Sequence, residues 1–366
     1  MSVADSAALA AGALKAIGLV DNFAPLIVVC GHGATVENNA FASGYDCGAC
    51  GGNTGEINAQ VLANALNDPA VRLLLRDEGI VIPDTTTAIA ALHNTTTDEV
   101  AIVAAHQAAP QALEDFRADC AVAQKQVVAE RSTLWPAAHT SGVITRSPQH
   151  CAHGRVSTAQ RRAGDWSEAF PEWGLASNAM FIVGPRELTE GLDLAGRAFL
   201  HSYEPDLDAD HSTLQLILTA PTIVTQWINS QYYCSTVAHS ALGAGDKATH
   251  NVVGDVGVLT GSHGDLRIGL PWQAVFTHDP RTGAHTRRHD PARLTVVVWA
   301  HPTAIMRIVS SHENLAQLVT NQWIHLVAVN PATGRAHRLT PELSWAHHLS
   351  SAPEEVPATT QPANAV

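Results

Sequence analysis

Three features of the amino-acid sequence predict an α/β fold with a mostly parallel sheet and flanking helices. Leu26 to Cys30 is a short, β-branched apolar run leading into glycine-flanked His32, the pattern of a buried strand that empties into a tight turn. Two helical stretches follow, Gly55 to Leu66 and a second opened by Asp68-Pro69 and closed by Gly79. Ile80-Val81-Ile82 then reads as an apolar strand closed by Pro83. A helix pair between two strands implies a crossover connection, and crossovers join parallel strands. The Leu26 to Cys30 strand is therefore expected at the centre of its sheet, with His32 just beyond its carboxyl end, where open α/β sheets hold their ligands.

The remaining elements follow from local pattern. Ser2 to Leu19 spaces Ala and Leu at helical intervals, with Asp5 near the start and Gly18 near the end. In the next helix Ile57, Val61, Leu62 and Ala65 are expected on the inner face. His93-Asn94-Thr95-Thr96-Thr97-Asp98 is a polar turn leading into a strand from Val100 to Ala105. Ala112 to Glu130 reads as helix, and the pattern dissolves into Ser, Pro, His and Arg from Arg131 to Arg162. Strands are expected at Arg293 to Trp299 and Ile324 to Val329, with a helix near Glu313 to Leu318 between them. The chain divides accordingly into a core of 1–130, a linker or flexible insertion at 131–164, an α/β region at 165–345 and a disordered tail at 346–366.

Charge and length exclude several functions. The 366 residues carry 21 basic against 34 acidic side chains, a formal charge of -13 that opposes binding to nucleic acid or an anionic bilayer. No apolar run reaches the roughly 18 residues of a membrane span, so a soluble, unexported chain is expected. Six cysteines at this length are too few for a disulfide framework and point to reduced thiols or metal ligation.

The chemistry concentrates between His32 and Cys50. Imidazole and thiolate are zinc donors, and Cys47-Gly48-Ala49-Cys50 sits on a second glycine-rich turn. Cys47 and Cys50 also suit a redox pair or small buried hydrophobes, and Cys47, Cys50, Cys151 and His153 could form a structural knuckle. Cys30, Cys120 and Cys234 lie in apolar or helical contexts and read as core. Gln226 to Tyr233 and Asp265 to Gln273 are rich in aromatics and amides, and they suit a partner interface or the internal core equally.

The run Gly31-His32-Gly33, Asn38-Asn39, Asp46-Cys47-Gly48-Ala49-Cys50-Gly51-Gly52 and Gly55-Glu56-Ile57-Asn58-Ala59 resembles the DabA family. So do His93 to Glu99, Pro171-Glu172-Trp173-Gly174, Gly196-Arg197-Ala198-Phe199, Thr249-His250-Asn251 and Leu266 to Trp272, in order from about Leu14 to Leu339. The resemblance implies the zinc-binding subunit of the two-component DAB pump, which accumulates inorganic carbon. It implies a β-carbonic-anhydrase-like core, followed by a mixed α/β C-terminal region. It also implies a peripheral site on the cytoplasmic face of the cell membrane, docked to DabB, a membrane-embedded partner similar to antiporter subunits.

In that family zinc is held by Cys and Asp of an upstream Cys-x-Asp-x-Arg motif and by a downstream His and Cys, which fall on His32 and Cys47. The implied reaction is zinc-assisted hydration of CO2 to bicarbonate, coupled to a cation gradient. The sequence departs from the family at one point, because no Cys-x-Asp-x-Arg occurs in it; Cys151-Ala152-His153-Gly154-Arg155 is the nearest imitation. The chain is thus expected to be half of a split subunit, a fragment or a degenerate relative. Its zinc site would be completed by a polypeptide carrying the missing half.

Overall fold

The structure, a computed structural model, describes residues 1–37, 46–47, 50, 53–104, 110–132, 148–165, 175, 177–244, 250–253, 257–260, 266–267, 269–278, 285–287 and 289–347. The expected tail at 346–366 lies almost wholly outside these residues, as do Asn38-Asn39 and Pro171 to Gly174.

The first unit opens with helix α1 (Val3–Ile17), where Ser2 and Asp5 form a reciprocal capping box and Gly18, at φ 76°, closes the far end. Ala7, Ala10, Ala11 and Leu14 form its buried stripe. Strand β1 (Leu26–Gly33) follows, then α2 (Glu56–Asn67) and α3 (Pro69–Asp77). Asp68 caps α3 by accepting from the Ala70 N–H at 2.8 Å, and Gly79 turns the chain away at φ 81°. Strands β2 (Thr87–Asn94) and β3 (Glu99–Ala104) complete a sheet of order β1-β2-β3. Helices α4 (Pro110–Arg131) and α5 (Pro148–Ala163) finish the unit.

Several expectations are corrected here. Among the described residues strand β1 is at the edge of its sheet, not the centre, and the sheet is mixed: β1 and β2 run parallel, β2 and β3 antiparallel. A connection as short as Thr95 to Asp98 can make only a hairpin, because a parallel return needs a crossover of a dozen residues or more. Residues Ile80 to Ile82 form no strand; Ile80 and Ile82 are buried beneath the crossover while Val81 faces out. Beside this stretch the Arg72 guanidinium donates to the carbonyls of Leu66, Pro83 and Thr86 at 2.7, 3.0 and 2.7 Å.

On α2 the inner face is built of small residues, Ala59, Ala63 and Ala65 with Leu66, whereas Ile57 is 73% exposed and Val61 also faces outward. Alanines let the helix sit close on the sheet, a position the larger residues would block. Finally, the expected linker contains α5, which packs on α4 through Ala159 and Val128. Its sparse apolar content hid it from a pattern that looks for a wide hydrophobic stripe.

The second unit begins with β4 (Met180–Val183) and β5 (Ala198–His201), followed by α6 (Ser212–Thr219), α7 (Pro221–Val237) and the single turn α8 (His239–Leu242). Short antiparallel ladders come next: β6 (His250–Val253), β7 (Gly257–Thr260) and β8 (Leu266–Arg267) in one, then β9 (Phe276–His278) and β10 (His285–Arg287) in another, with the turn α9 (Trp272–Val275) between them. Strand β11 (Leu294–Trp299), helices α10 (Pro302–Ser311) and α11 (Glu313–Thr320), and strands β12 (Ile324–Val329), β13 (Ala336–Leu339) and β14 (Trp345–His347) complete it.

The main sheet has the order β14-β13-β12-β11-β4-β5, parallel from β5 to β12 and antiparallel through β13 and β14. Leu294, Val296 and Val298 of β11 alternate inward against Ile305, Ile308 and Val309 of α10 and Leu214 and Ile217 of α6. Both units are therefore α/β with mixed sheets.

Candidate functional site

The site is built where β1 ends. Gly31 lies so close to α2 that a Cβ on it would meet the Gly55 carbonyl carbon and oxygen at 2.5 Å, so only glycine fits. The Gly55 N–H donates to the His32 carbonyl at 2.8 Å. This contact fixes the last turn of β1 and turns the His32 side chain to the sheet face opposite Gly31 and Gly33. On the neighbouring strand its register partner is His93.

His32 is half-buried, and its Nδ1 is buried without a hydrogen-bond partner. Burial pushes its pKa below the usual imidazole value; nearby Asp46 pulls the other way, and His93 adds to the downward push. The ring is thus neutral near pH 7, with an unshared pair free for an electrophile.

The thiol turn lies beside it. Asp46 Oδ1 accepts from the Ala34 N–H at 3.0 Å, tying the turn to the segment just past His32. Cys47 and Asn53 pair across the turn, with the Cys47 N–H donating to the Asn53 carbonyl and the Cys50 N–H to the Cys47 carbonyl, both at 3.0 Å. Asn58, on the first turns of α2, donates to Cys50 Sγ at 3.0 Å. Cys47 and Cys50 are both thiols, outside any disulfide. Cys50 is therefore held toward α2 by an amide donor, an anchoring that the sequence spacing did not distinguish from metal ligation.

The polar turn between β2 and β3 is the third wall. Thr95, Thr96, Thr97 and Asp98 are all buried. Asn94 and Thr96 clasp Thr35: Asn94 Nδ2 donates to Thr35 Oγ1 at 2.7 Å, the Thr35 N–H to Asn94 Oδ1 at 3.2 Å, and Thr96 Oγ1 to the Thr35 carbonyl at 3.0 Å. Asp98, with φ 56°, carries one carboxylate oxygen 3.2 Å from His93 Nε2 and the other against Arg131 of α4. Gln124, on the same helix, donates to the Thr97 carbonyl at 3.0 Å. The His93, Asp98 and Arg131 chain was not found from sequence; the only signal was an aspartate ending a turn that begins with histidine. The end of α5 also reaches the site, where the Glu37 N–H donates to the Ala163 carbonyl at 3.3 Å.

A neutral imidazole with a buried, unpartnered nitrogen, and thiols on a turn tied through Asp46 to the segment just past it, are donor types that a borderline-soft metal such as zinc takes. Among the described residues no group of three or more His, Cys, Asp or Glu side chains could hold a metal ion.

Comparison with known proteins gives a family. Residues 1–324 match the family model described as "Probable inorganic carbon transporter subunit DabA". The chain belongs to the DabA family.

Relatives with that same name include one from Chloroflexus aurantiacus, 45% identical over 348 residues, and one from Chloroflexus aggregans, 46% identical over 351 residues, each matched over 94% of this chain and 39% of the relative. A Legionella pneumophila relative is 44% identical over 350 residues, 94% of this chain and 43% of its own length. This chain thus spans about two fifths of the DabA proteins that it matches. No solved structure matches.

The second unit's aromatic segments divide. On α7, Gln226, Asn229 and Tyr232 point inward, and Asn229 donates to the Asn178 and Ala292 carbonyls at 3.1 and 2.8 Å, while Trp227 is 65% exposed. Trp272 stacks on His239 with ring centres 4.1 Å apart and meets the Phe276 ring edge-on at 4.3 Å, so it packs within the unit. Among the described residues no helix is long and apolar enough to cross a membrane.

Proposed function

We propose that this DabA chain contributes His32 and Cys47 to a zinc centre that hydrates CO2 to bicarbonate within an inorganic carbon transporter. In this reading the core is β-carbonic-anhydrase-like, and the chain works peripherally at the cytoplasmic face with a membrane-embedded DabB subunit that couples hydration to a cation gradient. The observation that carries the reading is His32 itself, a neutral, half-buried imidazole with Nδ1 unpartnered, next to the Asp46-Cys47 turn. Zinc, when bound, supplies the Lewis acidity that makes water nucleophilic near neutral pH.

The chain's own residues set the conditions for that chemistry. Gly31 and Gly55 fix the His32 backbone, and the Thr35 clasp holds the segment between His32 and the thiol turn. Burial keeps the imidazole deprotonated and available as a donor. With two protein donors in place of a full tetrahedral set, this chain alone binds zinc weakly and hydrates CO2 no faster than its His32→Ala variant.

Equilibrium dialysis with metal analysis tests this. Adding the part of the Chloroflexus aurantiacus relative outside the matched region should raise zinc to one per chain. Cys47→Ala should abolish the gain, and Cys50→Ala should weaken it less. One tight zinc in the chain alone, retained by His32→Ala, would overturn the assignment. A second reading, an assembly protein that retains the fold without catalysis, is favoured by the partial donor set. It predicts no zinc gain and no hydration when the other portion and the membrane partner are both present.

A further inference from the structure

One face of the main sheet carries a strip of uncompensated positive charge. Ile324, Leu326 and Leu339 point into the core, so strand alternation turns His325 and Arg338 to the opposite face. Arg338 lies opposite Val327, which makes it a diagonal neighbour of His325 across β12 and β13, within reach of a long side chain. Arg293 and Trp323 stand side by side, one residue before the β11–β12 ladder opens at Leu294 and Ile324. The Arg293 guanidinium donates to the Gln322 carbonyl at 3.0 Å and sits 5.7 Å from the Trp323 ring centre.

Burial holds the His325 pKa below the usual imidazole value, and Arg338 and Arg293, in that order, push it further down. Both guanidiniums therefore act on one point of the face, and both are exposed. Lys15, Arg76, Arg117, Arg131 and Arg197 each meet a carboxylate, as a formal charge of -13 would lead one to expect. Among the described residues Arg293, His325 and Arg338 form no ion pair. Glu342, in the turn after β13, accepts from Thr340 instead.

We propose that Glu354 and Glu355 of the chain's own 348–366 segment dock on Arg293, His325 and Arg338, laying the segment back across β13, β12 and β11. Ala346 of β14 is the register partner of Arg338, so the chain leaves the sheet at His347 beside the strip. From 348 to 366 the only Asp, Glu, Lys or Arg residues are Glu354 and Glu355. Glu354 follows His347 by seven residues, a reach of roughly 23 Å at full extension. The strip runs from β13 to β11, two strand spacings or about 10 Å. Exposed ion pairs are individually weak, but so short a tether holds both carboxylates at high effective concentration over the two guanidiniums. His325, on the strand between them, adds a ring N–H donor.

Phenylglyoxal modification of arginine, read by peptide mass spectrometry on the full chain, tests the docking. Glu354→Gln combined with Glu355→Gln should speed modification of Arg338 and Arg293 by at least about threefold. Arg186, exposed beyond the carboxyl end of β4 while the strip lies at the amino ends of β11 and β12, should react at the same rate in both chains. Salt at about 0.5 M should erase the difference between the chains. Equal rates at low salt overturn the proposal. So does protection that fades on dilution, which assigns the carboxylates to a second copy. Protection by added inorganic phosphate or by a polyglutamate peptide, alike in both chains and with none from the chain's own glutamates, marks a small-anion site or a partner surface and overturns it as well.

Discussion

The backbones of Gly31 and Gly55 lie against each other, with the Gly31 Cα 3.0 Å from where a Cβ on Gly55 would stand. Neither backbone can retreat, because one belongs to a strand and the other starts a helix packed on it. Gly31→Ala should therefore cost about 1–3 kcal/mol, read as a lower urea midpoint at unchanged slope. Gly12, exposed in the middle of α1 with nothing near its missing Cβ, is the control. Gly12→Ala should stabilise by about 0.5–1 kcal/mol.

Asp98 joins His93 and Arg131 from a left-handed backbone position. Asparagine tolerates that conformation, so Asp98→Asn tests the charge alone, whereas Asp98→Ala adds backbone strain. The Asn variant should lose about 2 kcal/mol and the Ala variant more. A double-mutant cycle of Asp98→Asn with Arg131→Met should show a coupling of about 1 kcal/mol or greater. Additive effects would mean that the pair contributes nothing to stability.

Asn94 is the hub of the Thr35 clasp, since its amide oxygen also accepts from the Thr96 N–H at 3.2 Å. Asn94→Ala leaves these groups unmatched and should cost about 1–3 kcal/mol. Faster amide exchange at Thr35 and Thr96 than at Ala90 would place the loss in the clasp. Uniform acceleration would indicate global destabilisation instead.

His289 carries a pH dependence. The residue is fully buried, with neither ring nitrogen hydrogen-bonded and the Tyr232 ring centre 5.3 Å away. Burial, reinforced by Arg197 and opposed by Asp290, lowers its pKa to about 4. The unfolded chain, with its histidine near pKa 6.5, takes up the proton first as pH falls. Stability from this residue is therefore full above about pH 6.5 and declines down to about pH 4, by a total on the order of 3 kcal/mol. His289→Leu should flatten the dependence of the melting temperature on pH in that window. An unchanged slope would exclude His289 as its source.

What could be read from sequence was local. Ser2 with Asp5, and Asp68 with Pro69, mark helix starts because capping involves residues two or three apart. The strand Ile324–Val329 was delimited by its own apolar run. The turn at Cys47 was visible for the same reason, whereas His32, expected just beyond a strand ending at Cys30, lies inside a strand that runs on to Gly33 because the ladder with β2 continues through it. The hidden features depend on distant partners. Arg131 reaches Asp98 across 33 positions of sequence, and the edge position of β1 depends on which strands pair with it. Ile80 to Ile82 looked like a strand because burial and strand pairing leave the same apolar signature over three residues, and among the described residues no ladder includes them.

The clasp between Thr35 and Thr96 closes a loop of 61 residues. Loop-closure entropy is paid before such contacts return anything, so this one forms only after the crossover through α2 and α3 has brought β2 alongside β1. His32 consequently cannot acquire its surroundings during early collapse. On the ribosome the surroundings cannot be complete until α4 has emerged with Arg131. The surroundings of His32 are then a record of finished folding, complete only once residues sixty to a hundred positions further along the chain have joined them.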